Sequence, residues 1–433
     1  MRAPRADPDP PAMHTAAYRS QCEAEEHRHD ASRAGPRPGL TLFALALGTF
    51  AIGTGEFGSN GIIQLFASDL EVSLPLATYA VTAYAVGVMI GSPVITVVAA
   101  RYNRRNLLLF LVGLFVVGNV LSALSASLGM LIAARFVTGT VQGAYFGAGA
   151  VVAAYVYGPG NGGRAFATVM GGLTVATIIG SPLGTFVGQL AGWRAMYLVV
   201  VVIALLAGAA LMAWVPRTDA LAGSSVAQEL GALRRPMVWV VTAVAGLGIS
   251  SIFAVYTFIA PYITDATGSS PALIPIALGV FGLGMAVGNQ VGGRLADRFA
   301  YRGLVSGYAL VLVFLVVIAL GGSSLAVLLP ALFFVGATMM MAIPTIQVLL
   351  TSYAPEAPTL MGAVNLAALN LANALGAIGG SIVLGIGLGT LSTAWAGLVL
   401  TLAGLVLFAL TVPRFPPPRP AAPRGPARAG SAS

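Results

Sequence analysis

Residues 195–215 read AMYLVVVVIALLAGAALMAWV. No charge interrupts the run, and its length matches the ~20 residues that cross ~30 Å of hydrocarbon. A membrane barrel strand would alternate polar and apolar positions. This stretch is apolar on every face. In lipid a helix satisfies its own backbone groups, so the run reads as a membrane-spanning helix.

Eleven further apolar runs flank it, at 40–66, 76–99, 107–126, 128–156, 165–191, 237–263, 271–293, 303–322, 324–352, 358–388 and 390–412. The expected fold is an all-α membrane protein of twelve spans. Composition agrees: 57% of the 433 residues are hydrophobic and only 8% are charged, against about 25% charged in a soluble domain. Too few charges remain to build a water-facing surface. The 54 glycines suit helices packed closely in a bilayer.

The formal net charge is +8, and all 22 basic residues are arginine. In a soluble chain this would raise the question of nucleic acid. Here the arginines mark the cytoplasmic side. Arg101, Arg104 and Arg105 follow segment 2, Arg164 follows segment 4, Arg217, Arg234 and Arg235 follow segment 6, and Arg294, Arg298 and Arg302 surround the segment 8–9 connection. The opposite connections carry Asp69, Glu71 and Asp265, with Arg194 the exception. Both termini are expected in the cytoplasm.

Residues 1–39 form a polar tail without the apolar core of a signal peptide. Segment 1 is therefore expected to act as an uncleaved anchor. The single cysteine, Cys22, lies in that tail, so no disulfide framework arises within the chain. Cys22, His27 and His29 read as part of a disordered tail, and no metal site is expected. The polar stretch 216–236 separates an N-terminal half, 40–215, from a C-terminal half, 237–412, and a Pro-rich tail follows at 413–433. The halves resemble each other. Gly87 and Gly91 recur as Gly284 and Gly288, and Arg101 and Arg105 as Arg298 and Arg302, all at an offset of 197 residues; Asp69 recurs as Asp265 at 196. A six-plus-six repeat predicts this pattern.

Two charges lie deep in apolar runs. Glu56 is the only carboxylate so placed. An ionised carboxylate is costly in hydrocarbon, and an acid kept there is suited to carry a proton or hold a ligand. A structural Glu hydrogen-bonded to a neighbour is the plainer reading. Arg135 either pairs with Glu56, binds substrate, or snorkels to the interface. In segment 5, Gly180, Gly184, Gly188 and Gly192 recur every four residues, the small-xxx-small spacing of close helix contact, and Pro182 is expected to kink the helix. No Gly-x-x-x-x-Gly-Lys occurs and the chain has no lysine, so ATP hydrolysis is not expected.

Four stretches carry a resemblance. They are Gly-Thr-Gly-Glu-Phe-Gly at 53–58, the segment 2–3 loop from Gly91 to Arg105 with its second copy Gly293-Arg294-Leu295-Ala296-Asp297-Arg298, Arg135 through Gly143, and Gly180-Ser181-Pro182-Leu183-Gly184 continuing to Gly188. Together they resemble the major facilitator superfamily, and within it the bacterial drug:proton antiporters of the sugar-efflux and chloramphenicol-resistance subgroup. Ala100 departs from the pattern, standing where an Asp is usual, and Ser181 is inserted ahead of the motif proline.

The resemblance implies two six-helix bundles around a cavity lined by segments 1, 4, 7 and 10. It implies proton coupling at Glu56 and Arg135, and an antiport motif at Gly180, Pro182, Gly184 and Gly188. A cytoplasmic gate is expected at Gly91, Arg101, Arg105, Asp297 and Arg298. The cavity candidates are Asn60, Gln142, Tyr145, Tyr256, Phe258, Gln347, Asn365, Asn370 and Asn373, with Met339, Met340 and Met341 as a soft apolar surface. The expected function is secondary efflux of a small amphipathic molecule from the cytoplasm of a monomeric inner-membrane transporter, energised by the proton gradient with no cofactor. Chloramphenicol-like drugs, sugars and nucleosides are the candidate cargoes. An importer or facilitator on the same fold, or a non-transporting receptor, are the alternatives.

Overall fold

The computed structural model describes residues 38–99, 102–158, 162–217, 231–299, 301–355 and 357–415. Arg101, both tails and most of the stretch 216–236 lie outside these residues. Among the described residues there is no strand, and twelve helices of 20 to 30 residues are long and apolar enough to cross a membrane. They are α1 (Pro38–Gly61), α2 (Leu74–Ile95), α3 (Arg104–Ala123), α4 (Leu128–Tyr157), α5 (Ala167–Ala191), α6 (Trp193–Trp214), α7 (Pro236–Tyr256), α8 (Pro271–Ala296), α9 (Arg302–Gly321), α10 (Leu325–Tyr353), α11 (Leu360–Gly385) and α12 (Ser392–Arg414).

Three details differ from the hydropathy pattern. α3 begins at Arg104, inside a polar stretch. Asn103 caps it through Arg105 N–H at 3.0 Å, and the Arg105 guanidinium donates to the carbonyls of Met212 and Val215, at 2.8 and 3.0 Å. A cation thus satisfies the free carbonyls at the end of α6. α1 breaks at Ile62 and resumes as a short helix, Ile63–Asp69. Gly192 does not continue the α5 glycine stripe. It has φ of +87° and makes the turn into α6, a conformation glycine adopts without steric cost.

The helices form two bundles with separate cores. One core gathers buried residues from Ala44 to Val215, the other from Val238 to Val412 with Phe57 added from α1. The sequence repeat is a repeat of packing. Gly87 lies against the Phe136 carbonyl and Gly139 against the Tyr84 carbonyl, which brings α2 and α4 into backbone contact. Gly284 lies against the Phe333 carbonyl and Gly336 against the Phe281 carbonyl, joining α8 and α10 the same way, each residue 197 positions further on. Gly180 meets Thr54 of α1, and Gly376, 196 positions later, meets the Ser250 carbonyl of α7. The helix break recurs too, with φ of −109° at Ile62 and −108° at Phe258.

The short connections make successive helices antiparallel. Loops after odd-numbered helices share one end of the molecule, and loops after even-numbered helices share the other. The halves are tied together toward the odd-loop end. Gln64 donates to Thr264 Oγ1 at 3.0 Å, Gln189 to the Pro271 carbonyl at 2.8 Å, and Thr78 to Ser381 Oγ at 3.1 Å. One layer deeper, Ser181 of α5 shares a hydrogen bond of 2.9 Å with Tyr256 of α7, whose ring packs edge-on to Phe57. Deeper again, a Cβ on Gly143 of α4 would lie 3.1 Å from Leu366 of α11. One turn beyond, toward the even-loop end, Gly147 and Gly362 each face open space, with nothing within 4 Å of a Cβ. A cleft between the bundles therefore lies on the even-loop side of this contact, and the hydrogen bonds between the halves close it toward the other end.

Candidate functional site

Glu56 is buried, 6% exposed, on the face of α1 that meets α4. Its Oε2 accepts a hydrogen bond from Gln142 Nε2 at 2.8 Å. Gln142 is held in turn by its helix: the next backbone N–H, that of Gly143, donates to Ser92 Oγ of α2 at 3.0 Å. The acid therefore sits at the wall between α1 and α4, beside the apex of the cleft.

Arg135 does not snorkel. It is 1% exposed, and all three guanidinium nitrogens lack a hydrogen-bond partner. It makes no hydrogen-bonded pair with Glu56, although the two interact electrostatically. Its guanidinium carbon lies 4.4 Å from the Tyr84 ring centroid and 5.6 Å from that of Tyr197. Two aromatic faces replace part of the cation's lost hydration. The Tyr84 hydroxyl is buried and unpartnered, the Tyr197 hydroxyl shares a hydrogen bond of 3.2 Å with Ser59 of α1, and the buried, unpartnered Asn119 Oδ1 of α3 faces Gly55 of α1. Tyr84, Asn119 and Tyr197 were not among the expected site residues. Asn119, the one amide inside the apolar run of segment 3, was the signal available.

The expected cavity residues fall in different surroundings. Tyr145 is fully buried between α4 and α1, donating to the Leu45 carbonyl at 3.2 Å, and Phe258 is buried against Gly380 of α11. Both belong to the interiors of their own bundles. Tyr256 lies in the closed layer between the halves. Asn60, Gln142, Asn365 and Asn370 are buried amides with unpartnered carbonyl oxygens, as is Asn373. Gln347 is half-buried and accepts from Asn365 Nδ2 at 2.9 Å. Met339 is fully buried in the C-terminal core.

In α5 the helix widens into a π turn at Ala176–Gly180, directly ahead of Pro182. A π turn relocates the hydrogen bond that proline cannot make. Gly180 and Gly188 face Thr54 and Ile62 of the α1 chain, Gly184 faces Met196 of α6, and the Pro182 ring faces Gly279 of α8. α5 thus packs on its own bundle with its glycines and on the other half with its proline. The inserted Ser181 supplies the hydrogen bond to Tyr256.

Of the gate candidates, the structure describes the surroundings of two, Arg105 and Gly91. Arg105 staples α3 to α6 within the N-terminal bundle, and Gly91 abuts Thr140 of α4. Asp297 and Arg298 end the helix Ile274–Arg298, and their side chains lie outside what is described. Arg194, the exception to the charge pattern, pairs with Asp69 and donates to the Ser125 carbonyl at 2.9 Å, while Trp193 Nε1 donates to Asp69 at 3.0 Å. It clamps three loops of one bundle, which is a structural reason for a cation at that end.

Two pseudo-symmetric six-helix bundles, with a cleft between them and a buried acid at its wall, define a membrane transporter and not an enzyme. The chain belongs to the Major Facilitator Superfamily, whose profile matches residues 45–376 and 238–432. It is 37% identical over 350 residues to the inner membrane transport protein YdhP of Escherichia coli K12, covering 80% of this chain and 90% of that one. It is 33% identical over 374 residues to a chloramphenicol resistance protein of Streptomyces lividans, covering 85% and 95%. Among solved structures, an inward-facing, occupied bacterial homologue of the human lysosomal transporter Spinster shares the fold, with a TM-score of 0.66, 16% identity and coverage of 87% and 97%.

Proposed function

We propose that this transporter exports a small amphipathic molecule from the cytoplasm in exchange for protons, working by alternating access in the inner membrane. The observation that carries the reading is Glu56: the one carboxylate among the described spans, bonded to Gln142 beside the cleft and within electrostatic reach of an unpaired Arg135. A group so placed exchanges its proton with water only when the cleft exposes it, which ties protonation to the conformational cycle. The arginine-rich connections support an even-loop end in the cytoplasm, together with both termini. In that orientation the cleft faces inward, toward the cargo. The names of the relatives, one a chloramphenicol resistance protein, support efflux of drug-like cargo, and proton motive force serves as the energy source for a monomer.

The test is efflux from an efflux-deficient host and from proteoliposomes, with chloramphenicol, sugars and nucleosides as probes. A proton gradient should lower accumulation of the cargo in cells carrying the gene. Glu56→Gln should remove that effect while leaving the protein folded in the membrane. Gradient-driven accumulation in place of depletion would make the protein an importer. Unchanged efflux by Glu56→Gln would exclude this acid as the coupling site.

A further inference from the structure

Arg105 and Arg302 match in the sequence repeat and not in what they touch. Arg105 is 7% exposed, and its guanidinium is used on carbonyls at the end of α6. In the C-terminal half rings join α9 to α12: Tyr301 packs edge-on to Phe408, with centroids 5.6 Å apart. Arg302 is exposed. Its guanidinium carbon lies 4.5 Å from the Phe299 ring centroid. Among the described residues that guanidinium makes no hydrogen bond and meets no acid. The ring holds the cation in place and leaves its N–H fork free.

Arg302 lines a groove of about 660 Å³, together with Phe299, Tyr301, Val305, Ser306 and Ala309. Arg302, Val305, Ser306 and Ala309 have the spacing of one helix face. Arg302 is the only charge among the lining residues, and Ser306 donates its hydroxyl to the Arg302 carbonyl. Val313 and Val317 continue the face, 56% and 37% exposed. The solvent on this face of a spanning helix is lipid. An occupant that satisfies both the groove and its cation has an apolar body and a negative head. We propose that this face of α9 binds an anionic phospholipid of the leaflet at the even-loop end. The phosphodiester meets the Arg302 guanidinium, whose fork matches two phosphate oxygens at once. An acyl chain lies along Val305, Ala309 and Val313. The Phe299 and Tyr301 rings sit at headgroup level, where aromatic residues gather. A zwitterionic headgroup brings a second cation toward Arg302 with no acid to receive it, and is disfavoured. The site depends neither on the direction of transport nor on Glu56.

Thermal stabilisation of the purified full-length protein in detergent tests this. The probes are phosphatidylglycerol, phosphatidylcholine and soluble sn-glycerol 3-phosphate. Wild type should be half-stabilised at roughly fivefold less phosphatidylglycerol than phosphatidylcholine. Glycerol 3-phosphate should not stabilise, because it lacks the chain that fills the groove. Arg302→Gln should erase the preference for phosphatidylglycerol, and Arg302→Lys, which keeps the charge, should retain part of it. Arg234→Gln removes an exposed arginine from another connection at the same end and should leave the preference intact. No stabilisation by either lipid, equal midpoints in wild type, or a preference that survives Arg302→Gln would overturn the site. So would an equal loss in Arg234→Gln, the mark of diffuse attraction to a basic surface. Stabilisation by glycerol 3-phosphate would overturn it as well, in favour of a soluble-phosphate site.

Discussion

The two bundles share a backbone and not a chemistry. At the register fixed by the matched helix breaks, Glu56 corresponds to Ile252, and at the register of the matched glycines Arg135 corresponds to Leu332, Gln142 to Met339 and Tyr84 to Phe281. Every one of these C-terminal counterparts is buried and apolar. The glycine contacts that bring α2 onto α4 are kept in α8 and α10, so the repeat preserves what closes the helices together. The charges survive in one half only. The packing that the two copies share therefore does not require these charges, which supports the coupling role proposed for Glu56 and Arg135.

The sharpest way to break this comparison is to move the acid. Glu56→Gln should abolish proton-driven flux, and adding Ile252→Glu to that variant should not restore it. Ile252 is buried and belongs to the apolar core of the C-terminal half. A carboxylate there is expected to cost roughly 3 kcal/mol or more, measured as lost thermal stability in detergent. Recovery of flux in the double variant would show that the two halves are interchangeable.

Arg135→Leu, which copies Leu332, should have the next largest effect. The guanidinium makes no hydrogen bond, so its removal leaves no hydrogen-bond partner unmade. A buried cation without hydrogen bonds is costly in an apolar site, and Glu56 can take up a proton when its countercharge is gone. Melting temperature should therefore hold or rise while proton-coupled flux falls. A large loss of stability would make Arg135 structural.

The fold was almost wholly legible in the sequence, because a hydrocarbon solvent forces long uniform runs, and glycines at a fixed offset give away the repeat. The site was legible only in part. Glu56 and Arg135 stood out as charges in apolar runs, and Gln142 as an amide. Tyr84 and Tyr197 did not, since an aromatic ring in a membrane segment looks like lipid-facing or core surface until the fold places a cation on it. Tyr145 and Phe258 were expected on the cavity because their segments line it, but one face of each such helix packs inward, and hydropathy without a clear polar stripe does not say which. Arg105 illustrates a third limit: its partners are backbone carbonyls of Met212 and Val215, groups that every residue carries and no motif can announce.

Where the bundles agree, substitutions should act alike. Gly87→Val and Gly284→Val each drive a branched side chain into a backbone carbonyl, of Phe136 and Phe333 respectively. Each is expected to cost about 1–3 kcal/mol, read as matched losses of thermal stability. A loss in only one half would mean the shared geometry is not shared in energy.

The smallest effect should come from the other repeated acid pair, Asp69 and Asp265, whose roles have diverged. Asp69 meets Arg194 and Trp193 within its bundle, whereas Asp265 accepts from Thr264 at 2.6 Å and from Gln64 of the other half at 3.5 Å. The hydrogen bond from Arg194, and then that from Trp193, hold the Asp69 carboxyl below its ordinary value. A depressed carboxyl stabilises the folded state at pH above its unfolded value, and the contribution fades as pH falls through the lowered one. Asp69 is solvent-exposed, so the contribution is small and screened by salt. Asp69→Asn should therefore lower the melting temperature slightly at neutral pH and low ionic strength. The difference from wild type should vanish in acid, and it should shrink in high salt. Among the described residues Asp265 meets no cation, and Asp265→Asn should instead loosen the tie from Gln64 between the halves at the closed end. If Asp69→Asn showed no dependence on pH or salt, the ion pair at Asp69 would not be what separates the two copies.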